Sequence, residues 1–291
     1  MSVGPFRIQS MEDDSMKKLL LTLVGAGALL GAVYASASPE DDRVATVNYY
    51  KHKFPDVKFK DYIYGSLALD ADAKAQYDSI MEFPPFETVV EQGKKMWETP
   101  FKNGKKYADC FANGGKGAAA MYPMFDDKKG EVVIFDEALN ACRVANGEQP
   151  YDVGDAKTMG VLLSYARTLS DGYKVNTKIN GAAAVAAYED GKKTFYSRAG
   201  QLNFSCANCH QVDAGVRLRS ELLSPHLGHT THWPVFRGGD NLVTLQNRYV
   251  GCHKTVRHVP DKPGSVRYKN LEYFESYISN GLEMHASVFR K

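Results

Sequence analysis

Apolar residues along most of this chain fall in dense runs that read as helix. Examples are Ala182-Ala183-Ala184-Val185-Ala186-Ala187-Tyr188 and Met159-Gly160-Val161-Leu162-Leu163. Glu91-Gln92-Gly93-Lys94-Lys95-Met96-Trp97 and Glu189-Asp190-Gly191-Lys192-Lys193-Thr194-Phe195 read as two short helices of matching pattern. Each is followed by a loop and a cysteine, Cys110 in one case and Cys206 in the other. Helix-like segments close both stretches, Met159 to Leu169 and Leu271 to Asn280. This organisation predicts a tandem duplication of a small helical unit, with domains over 38–175 and 176–291. Glu131-Val132-Val133-Ile134-Phe135 reads as one short strand, and Ser224 to Asn241, rich in His, Gly and Pro, reads as irregular loop.

The N-terminus breaks this pattern. Lys17-Lys18 precede an apolar run from Leu19 to Val33, and Ala35-Ser36-Ala37 follows with small residues. That order predicts a secretory signal peptide. The run is about 15 residues, short of the roughly 20 that span a bilayer. Residues 1–37 are read as leader and signal peptide, the first 15 lying ahead of Met16. Maturation at Ser38, export to the periplasm and no membrane span in the mature chain are the expectations. Composition adds little: 44% hydrophobic, 24% charged and a net charge of +2 are ordinary for a globular chain and argue against a nucleic-acid binder.

Export changes the meaning of the five cysteines, Cys110, Cys142, Cys206, Cys209 and Cys252, because disulfides persist outside the reducing cytosol. Cys206-Ala207-Asn208-Cys209-His210 has the spacing of covalent haem attachment: two thiols three residues apart for the vinyl groups, then an imidazole for the iron. A zinc site would need a second ligand pair, and no other C-x-x-C occurs. The first copy keeps Cys110 but has Asn113 and Gly114 where the second thiol and the imidazole would stand, so it is expected to lack haem. A Cys110–Cys142 disulfide is the expected replacement staple.

That leaves Cys252, in Arg248-Tyr249-Val250-Gly251-Cys252-His253-Lys254-Thr255-Val256-Arg257. Arg248, Lys254 and Arg257 surround it in sequence, and nearby cations favour the thiolate, which is both nucleophile and metal ligand. Cys252 is therefore a candidate reactive or iron-bound thiol, in a basic setting suited to an anionic substrate. The alternative sixth ligand is Met284, more simply read as packing, and His226, His229 and His232 read as surface histidines of a solvated loop.

With these residues in hand the chain resembles the SoxA family, the cytochrome subunits of the SoxAX complexes of bacterial thiosulfate oxidation. The resemblance runs over most of the mature chain. It includes Tyr122-Pro123-Met124-Phe125-Asp126, Ala138-Leu139-Asn140-Ala141-Cys142-Arg143, Ser164-Tyr165-Ala166-Arg167, the haem motif, Trp233-Pro234-Val235-Phe236-Arg237 and Arg248-Tyr249-Val250-Gly251-Cys252. It implies a mainly α fold of two cytochrome c-like domains, the first without haem, and one covalently attached haem c. It further implies an L-cysteine S-thiosulfotransferase that joins thiosulfate to a cysteine of the SoxYZ carrier, with electrons passing through haem to a cytochrome acceptor. A SoxX-type subunit is the implied partner, with or without a small accessory subunit. Carried over by position, His210 and Cys252 are the axial ligands, and Arg248 is the active-site arginine, whose fork of donors suits an oxyanion. The resemblance does not decide whether Cys252 is a persulfide. The family's second arginine has no counterpart near Ser279; Arg290 is the candidate substitute, with Lys254 and Arg257 as electrostatic support. The competing reading is an electron-transfer c-type cytochrome with no sulfur chemistry.

Overall fold

The computed structural model describes residues 38–238 and 241–290; the predicted leader and signal peptide lie outside them. The described chain is mainly helical, with three small sheets. Helix α1 (Pro39–Lys53) opens it, with Glu40, Asp41 and Asp42 in its first turn and Lys51, His52 and Lys53 in its last. Both ends thus complement the helix dipole. Helix α2 (Ala71–Glu82) is capped by the Asp70 side chain, which accepts from Ala73 N. Among the described residues no helix is long and apolar enough to cross a membrane.

From here one succession of elements occurs twice. First come α3 (Glu87–Glu98), a turn ending at Cys110, the antiparallel pair β1 (Met124–Asp126) and β2 (Glu131–Val133), α4 (Phe135–Ala145) and α5 (Val161–Ala166). Then come α6 (Gly181–Tyr196), a turn at Asn208–Val212, a small pair β3 (Arg217–Leu218) and β4 (Glu221–Leu222), and the antiparallel pair β5 (Val235–Arg237) and β6 (Asn241–Val243). Helices α7 (Leu245–Thr255) and α8 (Val266–Ile278) follow, and β7 (Val288–Arg290) adds to β5 in parallel.

In each succession the first helix packs on the last, and a glycine makes the contact possible. A Cβ on Gly93 would stand 2.3 Å from Val161 O, and one on Gly191 would stand 1.9 Å from Asn270 O. Neither gap admits a side chain, so these glycines set the α3–α5 and α6–α8 distances. They are the two glycines at matching positions in the sequence pattern.

Two main cores result. One gathers Trp97, Phe101, Tyr107, Phe135, Leu139, Leu162 and Leu163. The other gathers Tyr188, Phe195, Tyr268, Leu271, Phe274 and Ile278, closed by Tyr50, Tyr62 and Tyr77 from the N-terminal segment. The C-terminal segment returns to the first core: Met284 is 2% exposed within it, and its N and O bond to Tyr173 O (2.8 Å) and Gly172 N (3.0 Å).

The structure revises three sequence expectations. Met159–Leu169 is not one helix but a π-helical turn (Ala156–Gly160), α5 and a 3-10 turn (Thr168–Ser170). Ser224–Asn241 is not simply loop, since it holds the 3-10 turn His229–Thr231 and β5. The stretch is also interior: His226, Leu227, Thr231 and Phe236 are all 0% exposed. It tolerates burial because its backbone finds partners inside. Gly228 N donates to Ser279 Oγ (3.0 Å), Thr230 O accepts from Arg167 (3.0 Å) and His229 O accepts from the Trp233 indole (2.5 Å). His226, His229 and His232 are accordingly not surface histidines.

Candidate functional site

The motif Cys206–His210 sits where the loop after α6 turns back into the second core. Ser205 and Asn208 lock the entry: Ser205 N and Oγ both donate to Asn208 Oδ1 (2.9 and 3.0 Å), and Asn208 N donates to Ser205 Oγ (3.2 Å). The π-helical turn Asn208–Val212 follows. Helix α1 clamps it. Tyr50 OH donates to His210 O (2.5 Å), Tyr49 OH and Lys53 Nζ donate to Gln211 O (2.9 Å each), and Lys53 also reaches Val212 O. Three side chains of one helix thus hold three consecutive carbonyls beside His210.

The His210 ring is fixed from the other side. Its Nδ1 lies 3.0 Å from Ser224 O, and a carbonyl can only accept, so Nδ1 carries the proton. The Nε2 lone pair is then free for a metal, the usual state of a ligating histidine whose other nitrogen is held. Burial pulls His210 down to about 3, with His229 and Arg248 beside it adding to the fall and the Ser224 contact opposing it, which keeps the ring neutral. Cys206 and Cys209 are free thiols. Burial, mainly, pushes both up. Two unpaired thiols, a neutral imidazole with a defined tautomer and a buried setting fit covalent haem c.

Cys252 lies near enough to the motif to bear on it electrostatically. Its charge acts on both Cys206 and Cys209, and Arg248, one turn before it on α7, acts on His210. The cationic setting expected from sequence is only partly met. Burial pushes the Cys252 thiol up, and this outweighs Arg248 and Arg237, which draw it down. Lys254 and Arg257 are exposed and are not among the charges acting on Cys252. Arg237, at the end of β5, is the cation that sequence reading missed; it lay in the quoted run Trp233–Arg237, but only folding sets it against α7. Arg290 pairs in register with Arg237 on β7. Its guanidinium donates to Ile63 O at 3.5 Å and lies 5.4 Å from the Tyr77 ring, and burial pulls it down to about 10.

The three histidines diverge. His226 packs between the Phe195 ring (4.4 Å) and the Tyr50 ring (5.7 Å), His229 meets Glu275 at 3.0 Å, and His232 stacks on Trp233 at 5.5 Å. In the other half, Cys110 and Cys142 form a disulfide with Cα atoms 5.8 Å apart. Asn146 lies beside it, donating to Cys142 O at 2.8 Å.

A family model described as SoxA/TsdA, cytochrome c domain, matches residues 92–175. The L-cysteine S-thiosulfotransferase subunit SoxA of Chlorobaculum tepidum is 44% identical over 276 residues, covering 94% of this chain and 95% of that protein. The protein of the same name from Allochromatium vinosum is 43% identical over 280 residues, covering 94% and 98%. Among solved structures, a chain of SoxXA from P. pantotrophus superposes with a TM-score of 0.63 at 32% identity, covering 72% of this chain and 79% of that one. Identity at this level along nearly the whole length of both chains means that this chain belongs to the SoxA family.

Proposed function

We propose that this chain is the L-cysteine S-thiosulfotransferase subunit of a SoxAX-type complex, acting in the periplasm. One haem c would be held by thioethers to Cys206 and Cys209, with His210 and Cys252 as axial ligands. The observation that carries the reading is the electrostatic nearness of Cys252 to Cys206 and Cys209, of Arg248 to both His210 and Cys252, and of Arg237 to Cys252. Arg248 offers a guanidinium to a thiosulfate dianion beside the partly buried Cys252 thiol, and Arg237, which also pairs with Glu221 at 3.7 Å, adds its charge. Met284 packs in the other core and lends no support to a plain electron carrier.

The reaction joins the carrier cysteine thiolate to the outer sulfur of thiosulfate. One S–S bond forms, no bond of thiosulfate breaks, and two electrons leave. Haem held by Cys206, Cys209 and His210 would supply the first acceptor for those electrons, and a cytochrome would be the onward acceptor. Arg248, with the charge of Arg237, binds and orients the anion, Ser224 holds the His210 ring, and α1 fixes the turn after it through Tyr49, Tyr50 and Lys53. The partners in this reading are a SoxX-type cytochrome, for which the likeness to a SoxXA structure speaks, the SoxYZ carrier, thiosulfate and a possible accessory subunit.

The two successions of elements support a duplicated cytochrome c unit over 38–175 and 176–291. Helices α4 and α7 are both 11 residues long, and Cys142 and Cys252 each stand eighth in them. Cys110 and Cys206 each follow the glycine-packed helix. The Cys110–Cys142 disulfide therefore joins the counterparts of a thioether cysteine and the axial cysteine, which supports a first copy without haem.

Cys252→Ala in the SoxAX complex tests the reading. The expected result is loss of the thiolate-type low-spin ferric EPR signal together with loss of carrier-dependent thiosulfate conjugation. An unchanged spectrum with unchanged conjugation would sink it. Non-reducing intact mass of the wild type reports one haem, one disulfide and any sulfur added to Cys252.

A further inference from the structure

A chain of hydrogen bonds, partly buried at Ser224 and His229 and buried at Glu275 and Tyr249, runs from the mount of His210 to the helix of Cys252, and beyond the Ser224 carbonyl nothing in the proposed sulfur chemistry uses it. It starts at Ser224, whose carbonyl holds His210 Nδ1 at 3.0 Å. The hydroxyl of the same residue lies 3.0 Å from His229 Nε2. The other ring nitrogen, His229 Nδ1, lies 3.0 Å from Glu275 Oε1. The second oxygen, Glu275 Oε2, accepts from Tyr249 OH at 2.5 Å. Tyr249 is on α7, three residues before Cys252, and Glu275 is on α8. The inner end of the path is buried, with Glu275 2% exposed and Tyr249 7%, while Ser224 and His229 are partly buried.

A carboxylate accepts only, so Nδ1 of His229 and the hydroxyl of Tyr249 both donate to it. His229 Nε2 is then the acceptor for the Ser224 hydroxyl, and every donor along the path is used. We propose that Glu275 is a positioning and potential-setting residue for the haem: it ties the mount of His210 to the helix that carries Cys252 and would place a carboxylate near the haem those residues hold. Its charge also bears on the thiols, raising both Cys206 and Cys252. In a medium of low dielectric a buried charge acts strongly on a neighbouring redox centre. A negative charge favours the ferric over the ferrous state, so this one lowers the reduction potential. Hydrogen bonding around a haem and burial are among the levers by which a protein tunes that potential.

The inference rests on haem attachment at Cys206, Cys209 and His210, and it is separable from the thiosulfate chemistry. Two variants with opposite expected signs test it, by potentiometric titration of the haem-loaded complex with EPR on the same samples. Glu275→Gln keeps the shape and removes the charge, so the midpoint potential should rise. Tyr249→Phe leaves the carboxylate with one donor fewer, so its charge is less offset and the potential should fall. The low-spin EPR signature should stay that of the wild type in both. A potential unchanged in Glu275→Gln, or shifted in the same direction by both variants, overturns the proposal. If Glu275→Gln fails to take up haem, the sign in Tyr249→Phe decides alone: a fall supports the proposal, and a rise or no change overturns it. Loss of the thiosulfate reading would show instead in the wild-type EPR spectrum and conjugation assay, before any variant is compared.

Discussion

Replacing Cys110 and Cys142 together by alanine removes the disulfide without leaving an odd thiol, and the cost can be worked out from the structure. The two residues are 32 apart in sequence. In the chain-entropy relation a loop of that length restrains the unfolded chain by about 3.7 kcal/mol at 25 °C. Cys142 is 4% exposed within the first core, so trimming its sulfur leaves a small void worth roughly 1 kcal/mol more. The Cys110 side adds little, because that residue is exposed. The total, about 4–5 kcal/mol, is a large fraction of the roughly 5–15 kcal/mol of a typical domain. With a urea slope of about 3 kcal/mol/M, the midpoint of unfolding should fall by roughly 1.5 M. Circular dichroism would follow the whole chain and Soret absorbance the haem half. The first core should be the part that loosens, while the haem spectrum of the folded variant stays that of the wild type. A midpoint shift below about 0.3 M would refute the staple argument. A changed haem spectrum in the folded variant would refute the separation of the two cores.

Two further outcomes follow from buried polar groups. Burial pushes Glu272 up to about 8 from an ordinary 4.5, with the Asp136 charge adding to the rise and Arg167 opposing it. A carboxyl whose folded value is raised contributes stability below its unfolded value and loses it as pH rises through the folded one. Thermal stability should therefore decline between about pH 4.5 and pH 8. Glu272→Gln, which keeps the acceptor for the Gln246 amide, should flatten that decline and be the more stable protein at pH 8; melting curves across this range would show otherwise if the slopes coincide. Tyr50→Phe removes the hydroxyl that donates to His210 O and accepts from His226 N. Leaving these buried groups short should cost about 1–3 kcal/mol, with haem still attached, measured by urea melting at the Soret band; an unshifted midpoint would show that the α1 clamp is not built on this contact.

The Cys110–Cys142 pairing was legible along the chain, because it depends on residue type at a repeated spacing; the Cys206–His210 run and the Asn113–Gly114 replacement are patterns of the same kind. The glycines of the repeat were legible as a pattern; their reason, backbone contact at Val161 and Asn270, was not. Cys252 stood out as the unpaired thiol, yet sequence neighbours misstated its surroundings. Lys254 and Arg257 point to solvent, whereas Arg237, fifteen residues before Cys252, lies close enough to act on it. The histidine-rich stretch looked solvated from its composition and turned out buried, because the partners that satisfy it, Ser279, Glu275 and Arg167, come from distant segments.

The sequence by itself determined the candidates for covalent bonds: the C-x-x-C-H spacing is a property of one short segment, and Cys110 and Cys142, two of the three cysteines outside it, form the disulfide. The tertiary structure decided the electrostatics. Whether a cation, a carboxylate or water surrounds Cys252 depends on how β5, α7 and α8 pack, and burial, a collective property of all of them, outweighs the charges that adjacency along the chain suggested.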